Sequence, residues 1–234
     1  MRECIILAGG FGTRLQSVVS DVPKCMAKVA GKPFLEYLFR YLENQKVDHV
    51  ILSLGYMADL VVDWLENVRA SYNFKISYVI EKKPLGTGGA IKLAFEKVSA
   101  QNAFVINGDT FFDVNMASLT EVFEQSQADI LIALKPLSDF DRYGSVQLDD
   151  FMRIVQFEEK KYIKEGLING GVYLISGNIF SKLSLPDNFS FEKDIMEAHL
   201  KDLYIYGSIQ DNYFIDIGIP SDFEKANNDF KHGK

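Results

Sequence analysis

Short, mostly apolar runs alternate with amphipathic stretches through the first half of the chain. Four runs are typical of buried strands that end in glycine or polar residues, and they span 4–7, 49–54, 75–80 and 103–106. The stretches 33–44, 58–68 and 90–98 repeat their apolar residues at helical spacing. This alternation predicts an α/β fold of Rossmann-like type, a mixed, mostly parallel central sheet flanked by helices.

The second half of the chain is richer in strands. Apolar runs predict strands over 129–134, 144–148, 152–157, 168–175, 204–208 and 213–218. Short helices are predicted over 118–125, 179–182 and 191–200, and Pro220 is typical of the first residue of a last helix. Since no linker or repeat interrupts the chain, we expect a single domain, 1–234, with lobes of about 1–112 and 113–234.

Composition and charge narrow the function classes. Hydrophobic residues make up 47% of the 234 residues, as in an ordinary globular protein. The net charge of −7 argues against nucleic acid or a membrane surface as a partner. Two cysteines and three scattered histidines form neither a disulfide framework nor a zinc motif. With no room for a signal peptide before the first strand, we expect a cytoplasmic protein.

The first strand runs directly into a loop with three glycines. Its sequence is Leu7-Ala8-Gly9-Gly10-Phe11-Gly12-Thr13-Arg14-Leu15. Successive backbone N–H groups in such a loop can form an anion-binding concavity, and Arg14 adds a fixed cation. The spacing matches neither the dinucleotide fingerprint nor the P-loop, so an ordinary tight turn is the alternative from these residues alone.

Other polar residues follow strands of the same predicted sheet. A second glycine-rich loop, 82–89, begins after Glu81, while Asp109 and Asp216 each follow an apolar run. In a doubly wound sheet, ligands bind beyond the carboxyl ends of the strands. We therefore expect both loops and the aspartates to share one edge, although turn or cap roles are the alternative for each aspartate.

Taken together, these motifs resemble those of the sugar-1-phosphate nucleotidyltransferases, over nearly the whole chain. The matching segments are 7–15, Pro23-Lys24, 31–33, Glu81 with 84–87, Gly108-Asp109, 157–160, 169–171 and 216–218. The resemblance implies the nucleotidyltransferase fold and the reaction of a sugar 1-phosphate with a nucleoside triphosphate to give a nucleotide sugar and pyrophosphate. One departure is Lys28, where many members have proline.

The resemblance also implies which residues act on the nucleotide, with 1–112 as the nucleotide-binding lobe. Arg14 and Lys24 are the expected catalytic cations, and Asp109 and Asp216 the expected ligands of Mg²⁺. The nucleotide-binding residues are expected to be Leu7, Ala8, Gly9, Gly10, Gly12, Thr13, Arg14, Glu81, Pro84, Gly86, Thr87, Gly88 and Gly108.

The sugar phosphate is expected to bind in the second lobe. The residues implied are Gly144, Glu159, Lys160, Asn169 and Gly170. A solvated charge pair with Lys161 is the alternative for Lys160. Glu192 and Asp194 are typical first-turn helix acids, with contact to the sugar as the alternative.

The resemblance implies that Glu81 contacts the base, where it favours guanine, because a carboxylate can accept hydrogen bonds from both N1–H and the N2 amino group. A polar residue at a strand end is the alternative for Glu81. The resemblance implies GTP and a heptose 1-phosphate as partners, for surface-polysaccharide assembly. Mannose or glucose 1-phosphate with GTP, UTP, CTP or dTTP is the alternative within the family, and a non-catalytic nucleotide-binding regulatory subunit is the alternative outside it. We also expect a homo-oligomer, with a dimer favoured.

Overall fold

A nine-stranded mixed sheet forms the centre of the protein. The computed structural model describes residues 1–10, 15 and 19–233. Over these residues the strands are β1 (Glu3–Ala8), β2 (Lys28–Val29), β3 (Lys32–Pro33), β4 (His49–Leu54), β5 (Lys75–Ile80), β6 (Asn102–Asn107), β7 (Thr110–Phe112), β8 (Ile130–Phe140), β9 (Ser145–Leu148), β10 (Ile154–Phe157), β11 (Ile163–Ser176), β12 (Ile205–Ile209) and β13 (Phe214–Asp216).

Helices connect these strands and cover both faces of the sheet. The α-helices are α1 (Phe34–Asn44), α2 (Ala58–Val68), α3 (Gly86–Phe95), α4 (Met116–Ser126), α5 (Ile179–Lys182) and α6 (Pro220–Lys231). A π-helical segment spans Phe191–Glu197, and single 3₁₀ turns span Lys24–Met26 and Arg69–Ser71. No helix among the described residues is long and apolar enough to cross a bilayer.

The strand order explains how the two halves of the chain join. Strands β5, β4, β1 and β6 run parallel in that order, and β11 pairs antiparallel with β6. The long β11 also pairs with β8 and β9; β12 runs parallel to β8, and β10 extends the sheet beyond β9. The predicted mixed, mostly parallel sheet is confirmed, while the division into lobes near residue 112 stays a prediction.

Alternate residues of the central strands enter two separate cores. Cys4, Ile6 and Ala8 face the core that α1, α2, α4 and α6 cover. Ile5 faces the opposite core, together with α3 and the π-helical segment. This two-sided burial is the reason why these strands read as continuous apolar runs in the sequence.

A buried polar network anchors the sheet at the edge opposite the strand ends discussed below. The Glu3 carboxylate lies 2.7 Å from His49 Nδ1, and His49 Nε2 lies 2.9 Å from Ser77 Oγ. The backbone N–H groups of Ser99 and Ala100 donate to the other Glu3 oxygen at 2.7 and 2.6 Å. These contacts fix the starts of β1, β4 and β5 relative to the segment before β6.

Candidate active site

A cavity of about 660 Å³ lies beyond the carboxyl ends of the parallel strands. Residues that end or follow β1, β4, β5 and β6 line it, and so do the start of α3 and Glu192. Residues predicted from sequence to bind nucleotide, metal or phosphate that line the cavity are Leu7, Ala8, Gly9, Gly10, Lys24, Glu81, Pro84, Gly86, Thr87, Gly108 and Asp109. Gly12, Thr13 and Arg14 lie outside the described residues.

Lys24 and Asp109 line the β6 side of the cavity, and Asp216 lies next to them without lining it. Lys24 Nζ donates to Asp109 Oδ2 at 2.5 Å, and the Lys24 side chain is only 12% exposed. The short antiparallel pair β7–β13 sets Asp216 opposite Thr110, the neighbour of Asp109. Gly218 donates its N–H to Asp216 Oδ1 at 2.7 Å, and a Cβ there would lie 3.1 Å from Lys24 Nζ. Lys24, Asp109 and Asp216 therefore share one small region.

The donor set of this region suits a hard divalent cation that keeps other ligands. No cluster of three or more His, Cys, Asp or Glu side chains with metal-binding geometry occurs among the described residues. Mg²⁺ commonly takes one or two carboxylates and completes its octahedron with water and substrate phosphate oxygens. Asp109 and Asp216 fit that role, whereas a closed protein cage would need more ligands.

Close approach of backbone segments holds the strand ends together around the cavity. Gly108 donates its N–H to the Leu7 carbonyl at 2.9 Å, and a Cβ on Gly108 would lie 2.6 Å from that oxygen. A Cβ on Gly55 would lie 2.8 Å from the Gly9 carbonyl oxygen. These glycines are needed for contacts within the protein, because any side chain would push β1 away from its two neighbours.

Glu81 lies at the end of the cavity formed by β5. Leu85 donates its backbone N–H to Glu81 Oε2 at 3.0 Å, and a Cβ on Gly9 would lie 2.7 Å from Glu81 Oε1. Burial raises the pKa of Glu81, and the Leu85 N–H opposes that shift by stabilising the charged form. The carboxylate is thus fixed in orientation before any ligand arrives.

The second glycine-rich loop packs against a segment that follows it by 100 residues. Gly86 has a φ of +71°, and a Cβ there would collide with the Phe189 carbonyl. Gly88 is buried against the Phe189 ring, donates to the Phe189 carbonyl at 3.0 Å and does not line the cavity. The contact explains why α3 begins at Gly86, four residues before the predicted start. The role of Gly88 in nucleotide binding stays a prediction.

The residues predicted to bind the sugar phosphate are not among those that line the cavity. Glu159 and Lys160 are exposed in the connection between β10 and β11. Asn169 donates to the Tyr173 hydroxyl at 2.9 Å and accepts from the Gly171 N–H, within an irregular stretch of β11. Side chains on Gly144 and Gly170 would meet the Glu158 carbonyl and the Phe112 ring. Their role in sugar binding stays a prediction.

Several cavity residues were not predicted from the sequence. They are Cys25, Ser53, Gly55, Tyr56, Lys82, Lys83, Ala90 and Asn107. The strand-end criterion that selected Asp109 would also have selected Gly55 and Asn107, which end or follow β4 and β6. Cys25 carries no such signal; burial and the nearby Asp109 charge raise the pKa of its thiol to about 12, so it is an inert wall residue.

Known proteins share this chain's sequence and fold over almost their whole length. The model of the nucleotidyl transferase family matches residues 3–233. Relatives named D-glycero-α-D-manno-heptose 1-phosphate guanylyltransferase are 48% identical in Aneurinibacillus thermoaerophilus (98% of this chain, 99% of the relative) and 45% identical in Campylobacter jejuni (94% and 96%). The structure of HddC from Yersinia pseudotuberculosis complexed with GMP-PN is 40% identical, with a TM-score of 0.89, over 99% of this chain and all of that chain.

Proposed function

Because the chain belongs to the nucleotidyl transferase family, we propose that it converts D-glycero-α-D-manno-heptose 1-phosphate and GTP to GDP-heptose and pyrophosphate. The observation that carries the choice of substrates is the identity of 45–48% with guanylyltransferases of that name, over nearly the full length of each chain. The charged groups around the cavity carry the choice of reaction.

The proposed chemistry is a single in-line displacement at the α-phosphorus of GTP. An oxygen of the sugar phosphate forms the new bond to the α-phosphorus while the bond to the β-phosphate bridging oxygen breaks. Pyrophosphate leaves with that electron pair. The attacking phosphate is already an anion at pH 7, so the reaction needs positioning and charge neutralisation rather than a general base.

Lys24 is the described cation best suited to this step. Its ammonium is largely shielded from water and is directed at Asp109, so it would face a phosphate that enters the same region. Lys24 would neutralise charge on the attacking and α-phosphate groups, and Arg14 would bind the outgoing phosphates. Asp109 and Asp216 would hold Mg²⁺, which neutralises phosphate charge when bound.

Glu81 supports the choice of guanine. Its carboxylate is half-buried, fixed by Leu85, and lies in the cavity at the end away from Asp109 along the sheet order. Oε1 and the remaining lone pair of Oε2 can accept the N1–H and N2 amino protons of guanine. A pyrimidine does not offer that pair of adjacent donors on one edge in the same arrangement.

Pyrophosphate release over a panel of nucleotides and sugar phosphates tests the proposal. GTP, UTP, CTP, dTTP and ATP are each paired with heptose, mannose and glucose 1-phosphate. We expect the highest kcat/KM for GTP with the heptose substrate. A preference for another nucleotide contradicts the role of Glu81. A preference for mannose 1-phosphate means that mannose 1-phosphate, and not the heptose 1-phosphate, is the sugar substrate. No turnover with any pair indicates a regulatory subunit.

The proposed enzyme is a cytoplasmic homo-oligomer, with a dimer favoured. This part rests on the family resemblance and on the composition, and the role in surface-polysaccharide assembly rests on the substrates. Light scattering coupled to size exclusion measures the mass in solution; a mass of 26.5 kDa, that of one chain, contradicts oligomerisation.

A further inference from the structure

Glu192 enters the cavity from the opposite face of the sheet to Lys24. Cys25, next to Lys24, packs in the core beneath α1, whereas Phe191, next to Glu192, packs in the core beneath α3. Both Lys24 and Glu192 line the cavity. The cavity therefore has the Lys24–Asp109 ion pair on one face and the Glu192 carboxylate on the other.

Two hydroxyl groups hold the Glu192 carboxylate by one of its oxygens. Thr87 Oγ1 donates to Oε2 at 2.6 Å, and Ser190 Oγ donates to the same atom at 3.0 Å. Each hydroxyl also accepts a backbone N–H, from Phe191 at 2.9 Å and from Lys193 at 3.2 Å. Because each hydroxyl has a single proton, both protons are committed to Glu192, and the carboxylate cannot turn freely.

The other carboxylate oxygen, Oε1, has no hydrogen-bond partner within the described part of the chain. A carboxylate is an acceptor only, and it repels phosphate groups. A ligand group that satisfies Oε1 must therefore be a donor. In GTP and a sugar 1-phosphate, the donors apart from those of the base are sugar hydroxyls, both on the rings and on the exocyclic carbons of the sugar phosphate.

Neighbouring groups indicate the side of the cavity on which Glu192 acts. The ring of Phe191, the residue before Glu192, packs against the Tyr173 ring with centroids 5.3 Å apart, and the charge of Glu192 adds to the effect of burial in raising the pKa of the Tyr173 phenol. The Tyr173 hydroxyl accepts from Asn169, the residue expected to bind sugar hydroxyls. Thr87 connects Glu192 to the second glycine-rich loop, whose residues are expected to bind the nucleotide. Glu192 thus lies between residues expected to bind the nucleotide and residues expected to bind the sugar phosphate.

We propose that Glu192 Oε1 accepts a hydrogen bond from a sugar hydroxyl of a bound substrate. This inference rests on the proposed function, and it makes Glu192 a substrate-binding residue held in position by Thr87 and Ser190. The hydroxyl belongs either to the ribose of GTP or to the sugar 1-phosphate, and deoxy analogues of each distinguish the two sources.

The test uses Glu192→Gln, with Asp194→Asn as its matched control. In the glutamine variant the amide oxygen can still accept from Thr87 and Ser190, while an NH₂ donor replaces Oε1. Asp194 lies in the same segment, is exposed, and accepts the Ser190 backbone N–H at 2.7 Å outside the cavity. Both substitutions remove one negative charge from the same turn, so their difference isolates the acceptor that faces the cavity.

Loss of a charged acceptor is expected to lower kcat/KM of Glu192→Gln by roughly tenfold or more, with Asp194→Asn near wild type. For the wild-type enzyme, kcat/KM should fall by a similar factor when the donating hydroxyl is absent, either in 2′- or 3′-deoxy-GTP or in a deoxy analogue of the sugar 1-phosphate. For Glu192→Gln, that analogue and its parent substrate should give nearly equal kcat/KM. Thermal unfolding should give equal midpoints for the two variants.

Two results overturn the inference. One is a kcat/KM of Glu192→Gln equal to that of Asp194→Asn for every substrate. The other is a wild-type enzyme that uses every deoxy analogue as well as the parent substrates, a comparison that needs no variant. Failure of the proposed function is a separate outcome, because the wild-type enzyme then makes no nucleotide sugar from any parent pair.

Discussion

Replacement of Gly108 by alanine tests whether the contact between β1 and β6 positions Asp109. The added Cβ would lie 2.6 Å from the Leu7 carbonyl oxygen, 3.3 Å from the Leu7 carbonyl carbon and 3.4 Å from the Ala8 Cα. All three are backbone atoms, so no side-chain rotation relieves the collision. Ordinary contact for a Cβ begins at 3.4 Å, and the two strand ends must therefore separate by several tenths of an ångström.

Separating the ends of β1 and β6 should lower both the stability and the activity of Gly108→Ala. Overpacking of this kind typically costs about 1–3 kcal/mol. In a chain of this size that corresponds to a fall in Tm of roughly 2–12 °C. Asp109 follows Gly108 directly, and a displacement approaching 1 Å at a reacting centre can lower kcat/KM by about 100-fold.

Differential scanning calorimetry and pyrophosphate release measure the two effects on the same preparations. Gly10→Ala is the control for stability, because a Cβ at Gly10 would have no neighbour within 4 Å among the described residues. We expect its Tm to stay near that of wild type. A Gly108→Ala protein with unchanged Tm and unchanged kcat/KM would refute the reasoning that this glycine sets the position of Asp109.

Two further predictions concern carboxylates at opposite edges of the sheet. Asp109→Asn should lower Mg²⁺-dependent turnover by at least about 100-fold. Its Tm should stay near that of wild type, because asparagine can still accept the hydrogen bond from Lys24. Substitution of the exposed Asp202 by asparagine is the control, and unchanged turnover of Asp109→Asn contradicts the metal role. Burial raises the pKa of Glu3, but the Ala100 and Ser99 N–H groups and His49 lower it further, to a net value below the usual 4.5. The charge of Glu3 therefore stabilises the fold above about pH 4.5, and that contribution is lost as the pH falls through the lower folded-state pKa. Urea unfolding across this pH window should show that the free energy of unfolding falls in wild type and not in Glu3→Gln. At pH 7, Glu3→Ala should lower the free energy of unfolding by about 3–5 kcal/mol. Parallel pH profiles for wild type and Glu3→Gln contradict the assignment.

Periodicity predicted most of the regular elements, including the four-residue α5, but it did not predict the short strands β2, β3 and β7. The observed bounds of β4, α2 and β5 are those predicted, because each carries a full apolar stripe or run. Strands of two or three residues, such as β7, are too short to show a period, and pairing across the chain stabilises them. This matters for function, because it is the pairing of β7 with β13 that sets Asp216 beside the region of Asp109.

Part of the candidate active site was likewise predicted from the sequence, and part was not. The strand-end rule and the family motifs together selected Glu81, Gly108 and Asp109, which the fold brings into one cavity. The glycines of the second loop are different, since their close neighbours are in the 187–191 segment, about 100 residues away. No local pattern in either segment predicts that contact, and the hold of Thr87 on Glu192 depends on it.

The charge balance of the cavity also bears on how the substrates enter. Among the described lining residues, Lys24, Lys82 and Lys83 are offset by Glu81, Asp109 and Glu192, so these side chains carry no net charge. A nucleoside triphosphate and a sugar phosphate together bring about five or six negative charges at pH 7. Lysines that are balanced by acids cannot neutralise this charge, even with the addition of Arg14. We therefore expect GTP to bind as its divalent-metal complex, and the KM for GTP to fall steeply as Mg²⁺ is raised. A KM that does not respond to Mg²⁺ would mean that protein groups alone neutralise the phosphates, against the carboxylate pair at Asp109 and Asp216.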